Sequence, residues 1–403
     1  MCIFRKINRI NRGSALDNMK NPKRALMLAS VASMIDQFNM DNIQILQELG
    51  YEVDVVADFV DGGTITSSRL EDLKSRLQKM NVNFYHVSIP RAVTNIKGIV
   101  SSYIYVKRLC EHKQYEMIHC HSPIGGVIAR LAAKTSRRKG TKVIYTAHGF
   151  HFYEGAPKKN WLLFYPIEKY CSRFTDVLIT INKEDYKRAK EKFHAKKIVY
   201  VPGIGVDTQK FKLGLVDVEK KRVEIGIQEN EIMLFSVGEL SERKNHEVVI
   251  RALYNMKVRN VKYYIAGKGP LEAKLKKMVH DFGISNQVFF LGYRTDISAL
   301  CQAADMFVFP SYQEGLPVAL MEAMASSLPC VVGKIRGNTD LIEDGEGGFL
   351  VEPENVEQWV SKLQQMYNDT CLREKMGRLN CEKIRMFDIN IVRNLMRDIY
   401  KLL

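Results

Sequence analysis

Short apolar runs recur along the chain, each followed by a longer stretch that mixes apolar and polar positions as helices do. Arg24-Ala-Leu-Met-Leu-Ala-Ser reads as a first strand and Met40–Leu49 as the helix after it. Residues 51–57, 83–87, 117–121, 142–148 and 176–181 continue the strand series, with helical segments between them. Strands that alternate with helices predict a parallel sheet covered on both faces. The pattern restarts at residues 232–238 and repeats at 262–266, 288–291, 306–309, 329–332 and 348–351. Between the two series, Val199–Glu231 contains glycines and then charge, the composition of a linker. The expectation is an α/β chain of two domains, residues 22–203 and 204–386, each binding ligands at the carboxyl ends of its strands.

Length agrees, since 403 residues suit two cores better than one. No apolar run reaches the ~18 residues of a membrane span. Residues 1–21 are basic without the apolar core of a secretory leader, and read as an extension or an upstream start. Eight cysteines without a C-x-x-C pair predict reduced thiols in a cytoplasmic protein.

Charge changes the picture more. Residues 1–203 hold 33 Lys+Arg against 18 Asp+Glu, whereas 204–403 hold 27 of each, so the whole net charge of +15 lies in the first half. It is densest in residues 101–203, with 20 basic and 8 acidic residues. Such asymmetry points that half toward an anionic partner. Lys134-Thr-Ser-Arg-Arg-Lys-Gly-Thr-Lys is the tightest cluster, and the nearby segment 158–170 mixes lysines with aromatic and aliphatic residues. That mixture suits an anionic membrane surface; a solvated charged face over a buried helix is the plainer alternative. No nucleic-acid module accompanies the clusters, and no nucleic-acid partner is expected.

The candidate chemistry centres on Pro310-Ser-Tyr-Gln-Glu-Gly-Leu-Pro-Val-Ala-Leu-Met-Glu-Ala-Met, which follows the apolar run Met306-Phe-Val-Phe. The order is strand, polar loop, helix start, with Pro317 suited to the first helical position. Unpaired amides and the positive dipole end there suit phosphate. Glu314 in the loop and Glu322 in the helix, with seven residues between them, are acceptor-only groups fit to hold sugar or ribose hydroxyls. Arg243 and Lys244 follow a strand ending at Gly238, where cations can neutralise a leaving diphosphate.

This Glu-x7-Glu segment resembles the donor-site signature of the retaining glycosyltransferases of family 4, which have the two-domain GT-B fold. Four other stretches agree in order: Ser236-Val-Gly-Glu-Leu-Ser-Glu-Arg-Lys-Asn with the phosphate loop, Tyr264-Ile-Ala-Gly-Lys-Gly-Pro with the next glycine turn, Leu291-Gly-Tyr-Arg-Thr-Asp-Ile with the base-holding segment, and Val201-Pro-Gly-Ile-Gly-Val-Asp-Thr with the interdomain connection. The likeness spans about residues 22 to 390. It implies two Rossmann-like domains facing across a cleft, acceptor on the first and nucleotide sugar on the second, with a helix at 387–403 crossing back to the first domain. It also implies donor contacts from Arg243, Lys244, Gly267, Arg294, Glu314, Gly315, Leu316, Pro317, Val318 and Glu322, with His148, Glu314 and Lys244 nearest the chemistry. Glu239 stands where many relatives carry an arginine.

On the acceptor side the resemblance and position at strand ends suggest Ser33, His121 and His151, with Asp36 and Gln37 as guesses. Gly125 and Gly126 give an acceptor phosphate room or simply let helix meet strand. The histidines lack a convergent carboxylate or zinc spacing, so no metal or other cofactor is expected. Thr146-Ala-His-Gly-Phe-His-Phe-Tyr resembles exopolysaccharide-type members. The implied activity is retaining transfer of a hexose or N-acetylhexosamine from a nucleotide sugar, expected to be UDP-linked. The implied acceptor is an undecaprenyl-diphosphate-linked saccharide at the inner face of a bacterial membrane. A nucleotide-sugar epimerase of the same fold, or a catalytically degenerate membrane scaffold, are the competing readings.

Overall fold

The computed structural model describes residues 22–63 and 65–403; the expected extension 1–21 lies outside them. Seven strands form the first sheet: β1 Lys23–Val31, β2 Tyr51–Asp58, β3 Asn83–His86, β4 Met117–His121, β5 Lys142–Ala147, β6 Val177–Thr180 and β7 Lys197–Tyr200. Their order is β3-β2-β1-β4-β5-β6-β7, and every pairing is parallel. Six more form the second: β8 Ile232–Val237, β9 Val261–Ala266, β10 Val288–Gly292, β11 Met306–Phe309, β12 Cys330–Gly333 and β13 Gly348–Val351, ordered β10-β9-β8-β11-β12-β13 and parallel throughout. Helices cover both faces of each sheet, so central strands are buried on both sides and read as unbroken apolar runs. β11 (Met-Phe-Val-Phe) is buried at every position.

Strand order reverses between β1 and β4 in the first sheet and between β8 and β11 in the second. At such switch points the following loops diverge and leave a crevice at the carboxyl ends of the strands. The expected linker needs one correction, because Val199 and Tyr200 belong to β7 at the sheet edge. A short charged helix, Val218–Glu224, occupies part of that linker.

The helix Ile389–Lys401 returns to the first sheet. Its Val392, Met396, Ile399 and Tyr400 join a core with Ile43, Leu46, Met117 and Ile179. Arg393 pairs with Asp41 and Arg397 with Glu48, which fixes the docked helix against Met40–Glu48. The two interdomain crossings run side by side: Val206 N–H donates to the Phe387 carbonyl (2.9 Å) and Ile389 N–H to the Val206 carbonyl (3.0 Å). The seven cysteines among the described residues are free thiols. No described helix is long and apolar enough to cross a membrane.

Candidate active site between the two sheets

β8 and β11 are neighbours at the centre of the second sheet, so the loops that leave them meet. After β8 the chain makes a short 3-10 turn, Glu242–Lys244, carrying both cations. Asn245 follows in the left-handed region and donates from its amide to the carbonyls of Pro310 (3.2 Å) and Pro353 (2.8 Å), clamping three loops. Arg243 Nη1 and Lys244 Nζ each lie 2.8 Å from Oε1 of Glu314. The structure therefore brings together three residues that the sequence separates by about seventy positions. Burial lowers the pKa of the Lys244 ammonium, and Glu314 opposes that shift.

Four residues past Glu314 the helix Val318–Ala325 begins. Pro317 is its N-cap rather than its first helical residue; there is no side-chain cap and no acidic residue in the first turn. The first-turn amides have no intrahelical acceptor, so a positive helix end opens beside two cations. One turn on, burial raises the Glu322 carboxyl to about 7, with Lys210 pulling the other way. Leu316 is buried and packs against Gly203 of the interdomain connection.

Two glycines are required by close approach. A Cβ on Gly267 would lie 1.8 Å from the Gly238 carbonyl oxygen, so only glycine lets the β9 turn touch the loop after β8. A Cβ on Gly315 would lie 2.3 Å from the His148 carbonyl oxygen, and Gly315 is thus where the two domains meet. Arg294 departs from expectation: its guanidinium grips Asp296 with two bonds (2.8 and 2.6 Å) and reaches Glu224, so it is occupied within its own loop. Glu239 is exposed and acts on Lys244 through charge.

Across the cleft, His148 follows β5 and His121 ends β4, whose register pairs His121 with Thr146. His121 Nδ1 and His148 Nε2 share a hydrogen bond of 3.0 Å. His119, packed at a tilt against His121, bonds Thr146 Oγ1 and the Tyr400 hydroxyl, both at 2.8 Å, so the crossover helix closes the chain of rings. Burial holds all three imidazoles neutral, His148 at about 4 and His119 at about 3, with His121 well below its ordinary value.

Several acceptor-side expectations are corrected. His121 is 1% exposed, shares the lining of one small cavity with His148 and supports that ring through their hydrogen bond. Ser33 is buried, its hydroxyl under Gly63. Asp36 is buried between Arg69 and Arg76. His151 packs its ring on Phe164, 4.6 Å between centroids. Gly126 lies under the Tyr145 ring, where a Cβ would come within 2.5 Å, and Gly125 N–H donates to Ser30 Oγ; helix-on-strand packing accounts for both. Gln37 is exposed.

The residue that sequence reasoning missed is Arg336. Its guanidinium forms a buried ion pair with Asp185 (2.8 Å), donates to the Phe150 carbonyl (3.0 Å) and lies over the Tyr153 ring. It also donates to the Glu314 carbonyl (3.3 Å), so one side chain ties the loop after β11 to the segment after His148. The available signal was Asn182-x-x-Asp185, a helix-start pattern in which the second residue is an acid with spare acceptor capacity. Among the described residues, no group of three or more His, Cys, Asp and Glu side chains is arranged to hold a metal.

Residues 26–182 match the family model described as glycosyl transferase 4-like, and residues 217–380 match glycosyl transferases group 1. EpsD of Bacillus subtilis, named as a glycosyltransferase, is 34% identical over 382 residues, 94% of this chain and 96% of EpsD. An Escherichia coli UDP-Gal:alpha-D-GlcNAc-diphosphoundecaprenol alpha-1,3-galactosyltransferase is 26% identical over 385 residues, 93% and 95% of the two chains. The crystal structure of Anabaena HepE in complex with UDP superposes with a TM-score of 0.75 at 19% identity, covering 94% of this chain and all of that one. The two-sheet architecture is the GT-B fold.

Proposed function

From the premise that the chain belongs to the family 4-like, group 1 glycosyltransferases, we propose that it moves a hexose or N-acetylhexosamine from a UDP-sugar, with retention, to an undecaprenyl-diphosphate-linked saccharide. The observation that carries the reading is the convergence of Arg243 and Lys244 on Glu314 beside an uncapped helix start. Glu314 pairs with both cations in this structure and leaves one positive charge unbalanced. A donor diphosphate takes over that pairing, with the helix amides as further donors, and releases the carboxylate to hold hydroxyls of the sugar. Glu322 receives the ribose hydroxyls, and neutral His148 offers one ring nitrogen to the sugar from above.

In the transfer step the bond from the anomeric carbon to the diphosphate breaks as the acceptor hydroxyl attacks from the same face, and its proton passes to the departing phosphate oxygen. Asp36 and Asp185 are held in ion pairs, which favours this front-face route over a carboxylate nucleophile. No metal is assigned a part, because two cations and the helix end already oppose the leaving charge.

The acceptor class is supported by the name of the Escherichia coli relative and by the surface of the first domain. Helices Ile96–Lys113 and Lys158–Ser172 both pack on Pro123–Ala132. They leave Ile96, Val100, Ile104, Leu162, Ile167 and Tyr170 exposed on the strongly basic half of the chain, a face suited to lipid headgroups. The decisive experiment is Glu314→Ala assayed with UDP-sugars and lipid-linked saccharides. Transfer should be abolished with the fold retained, whereas full activity would remove the central claim. Stabilisation by GDP or ADP in place of UDP would keep the enzyme class and overturn the donor.

A further inference from the structure

A basic recess of about 280 Å³ lies on the first domain, away from the cleft. Six cations line it, Lys134, Arg137, Arg138, Lys142, Arg173 and Lys196, against the single carboxylate of Asp176. That carboxylate is already taken: Arg137 grips it with two bonds (2.8 and 2.9 Å) and Lys196 lies 2.9 Å away. Lys134 is held over the Phe174 ring at 4.2 Å. Arg138, Lys142 and Arg173 have no carboxylate within salt-bridge distance among the described residues. Packing three uncompensated cations around one concavity repels unless an anion joins them.

The recess sits at the opposite end of the sheet from the proposed chemistry. Lys142 opens β5, and Asp176 and Lys196 immediately precede β6 and β7, whereas the cleft lies beyond the far ends of these strands. Six residues of β5 place it roughly 20 Å away, so it cannot serve the reacting hydroxyl or the donor. A second hollow of about 210 Å³ shares Lys142, Asp176 and Lys196 as its wall; Lys197 adds one more cation, and the rest of its lining is apolar: Val177, Ile399, Leu402 and Leu403. Cationic and apolar hollows with a common wall match an amphiphile, charged at one end and hydrocarbon at the other. The apolar helix face described above reaches the same place through Tyr170, whose ring meets Phe174 edge-on.

We propose that this recess is a second anion site, distinct from the donor cleft, that takes the phosphate headgroup of a lipid with the start of its chain in the adjoining hollow. The site rests on the lipid-facing reading of the first domain given above and is independent of the donor cleft.

The test uses the whole protein and the double variant Arg138→Ala/Arg173→Ala, which removes exposed cations without touching the Asp176 pairs. The control is Lys187→Ala/Lys192→Ala, which removes the same charge from an exposed helix elsewhere in the first domain. Binding is measured to phosphatidylcholine vesicles with and without phosphatidate, and thermal midpoints are read with glycerol 3-phosphate. The recess variant should bind phosphatidate vesicles roughly tenfold or more weakly, with the control close to the unmodified protein. A glycerol 3-phosphate shift lost only in the recess variant means free phosphate suffices; a response to vesicles alone makes the lipid the source. Either outcome supports the anion site. Equal weakening in the control, or undiminished binding by the recess variant, overturns it. The midpoint shift with UDP, retained in both variants, shows an intact fold and separates failure here from failure of the donor reading.

Discussion

Replacing Glu322 with glutamine should make the unliganded protein more stable at alkaline pH and a poorer nucleotide binder. Burial raises this carboxyl from its ordinary 4.5 to about 7, with Lys210 opposing the shift. The folded protein therefore holds a proton that the unfolded chain has released, and stability falls as pH rises from 4.5 toward 7. Above that window the full penalty is present: a displacement of about 2.5 pH units is worth about 3 kcal/mol. Glutamine keeps the shape without the charge. Glu322→Gln should gain about 3 kcal/mol at pH 8 and less than about 1 kcal/mol at pH 5. At roughly 2–4 °C per kcal/mol for a domain of this size, the midpoint should rise by about 6–12 °C at pH 8. The assay is thermal and urea unfolding of both proteins across that range, each pair compared at one pH so that other titrations cancel. Loss of a charged acceptor for ribose hydroxyls should weaken UDP by about 1.5–3 kcal/mol, some ten- to a hundredfold. A variant with unchanged stability at pH 8 would refute the claim that the carboxylate is desolvated, and unchanged UDP affinity would remove Glu322 from the donor site.

Three further outcomes are expected. Arg336→Met leaves Asp185 buried without its partner, which should cost about 3–5 kcal/mol in urea unfolding; a loss below about 1 kcal/mol would show that the two domains do not rely on this tie. Acid should destabilise the protein through its neutral imidazoles. His148 (about 4), His119 and His246 (both about 3) are depressed by burial, so the unfolded chain binds the extra protons below pH 6.5 and stability falls from there. Each should cost about 2 kcal/mol at pH 5, and flat stability between pH 7 and 5 would contradict their burial. Gly315→Ala should cut transfer sharply, because its Cβ would collide with the His148 carbonyl across the cleft; normal turnover would mean that the domains need not approach this closely.

What the sequence made legible follows from burial. Central strands are covered on both faces, so β1, β4, β8 and β11 stand out as apolar runs of the right length. β7 does not: Lys197–Tyr200 is four residues long, lies at the sheet edge, and none of its residues is fully buried. The helix Val218–Glu224 buries nothing and reads as charged linker. Glu314 and Glu322 were visible because their chemistry is local, a loop acid and a helix acid on one continuous motif. Arg243 and Lys244 were visible too, but not that both converge on Glu314. Arg294 and Asp36 look available in a linear reading, but the fold commits each to an ion pair, the first two residues along its own loop and the second with arginines 33 and 40 residues away. Arg336 and Asp185 lie 151 residues apart and acquire meaning only when the domains close. His119, His121 and His148 have individually modest signals, and it is the register of β4 on β5 that makes them one chain of rings, with Tyr400 supplied by the returning helix. The same logic separates the two anion-binding candidates. The donor-loop candidate announces itself through motif order, whereas the basic recess is only half legible: the run 134–142 supplies Lys134, Arg137, Arg138 and Lys142, and Arg173 and Lys196 join them because parallel strands begin at the same edge.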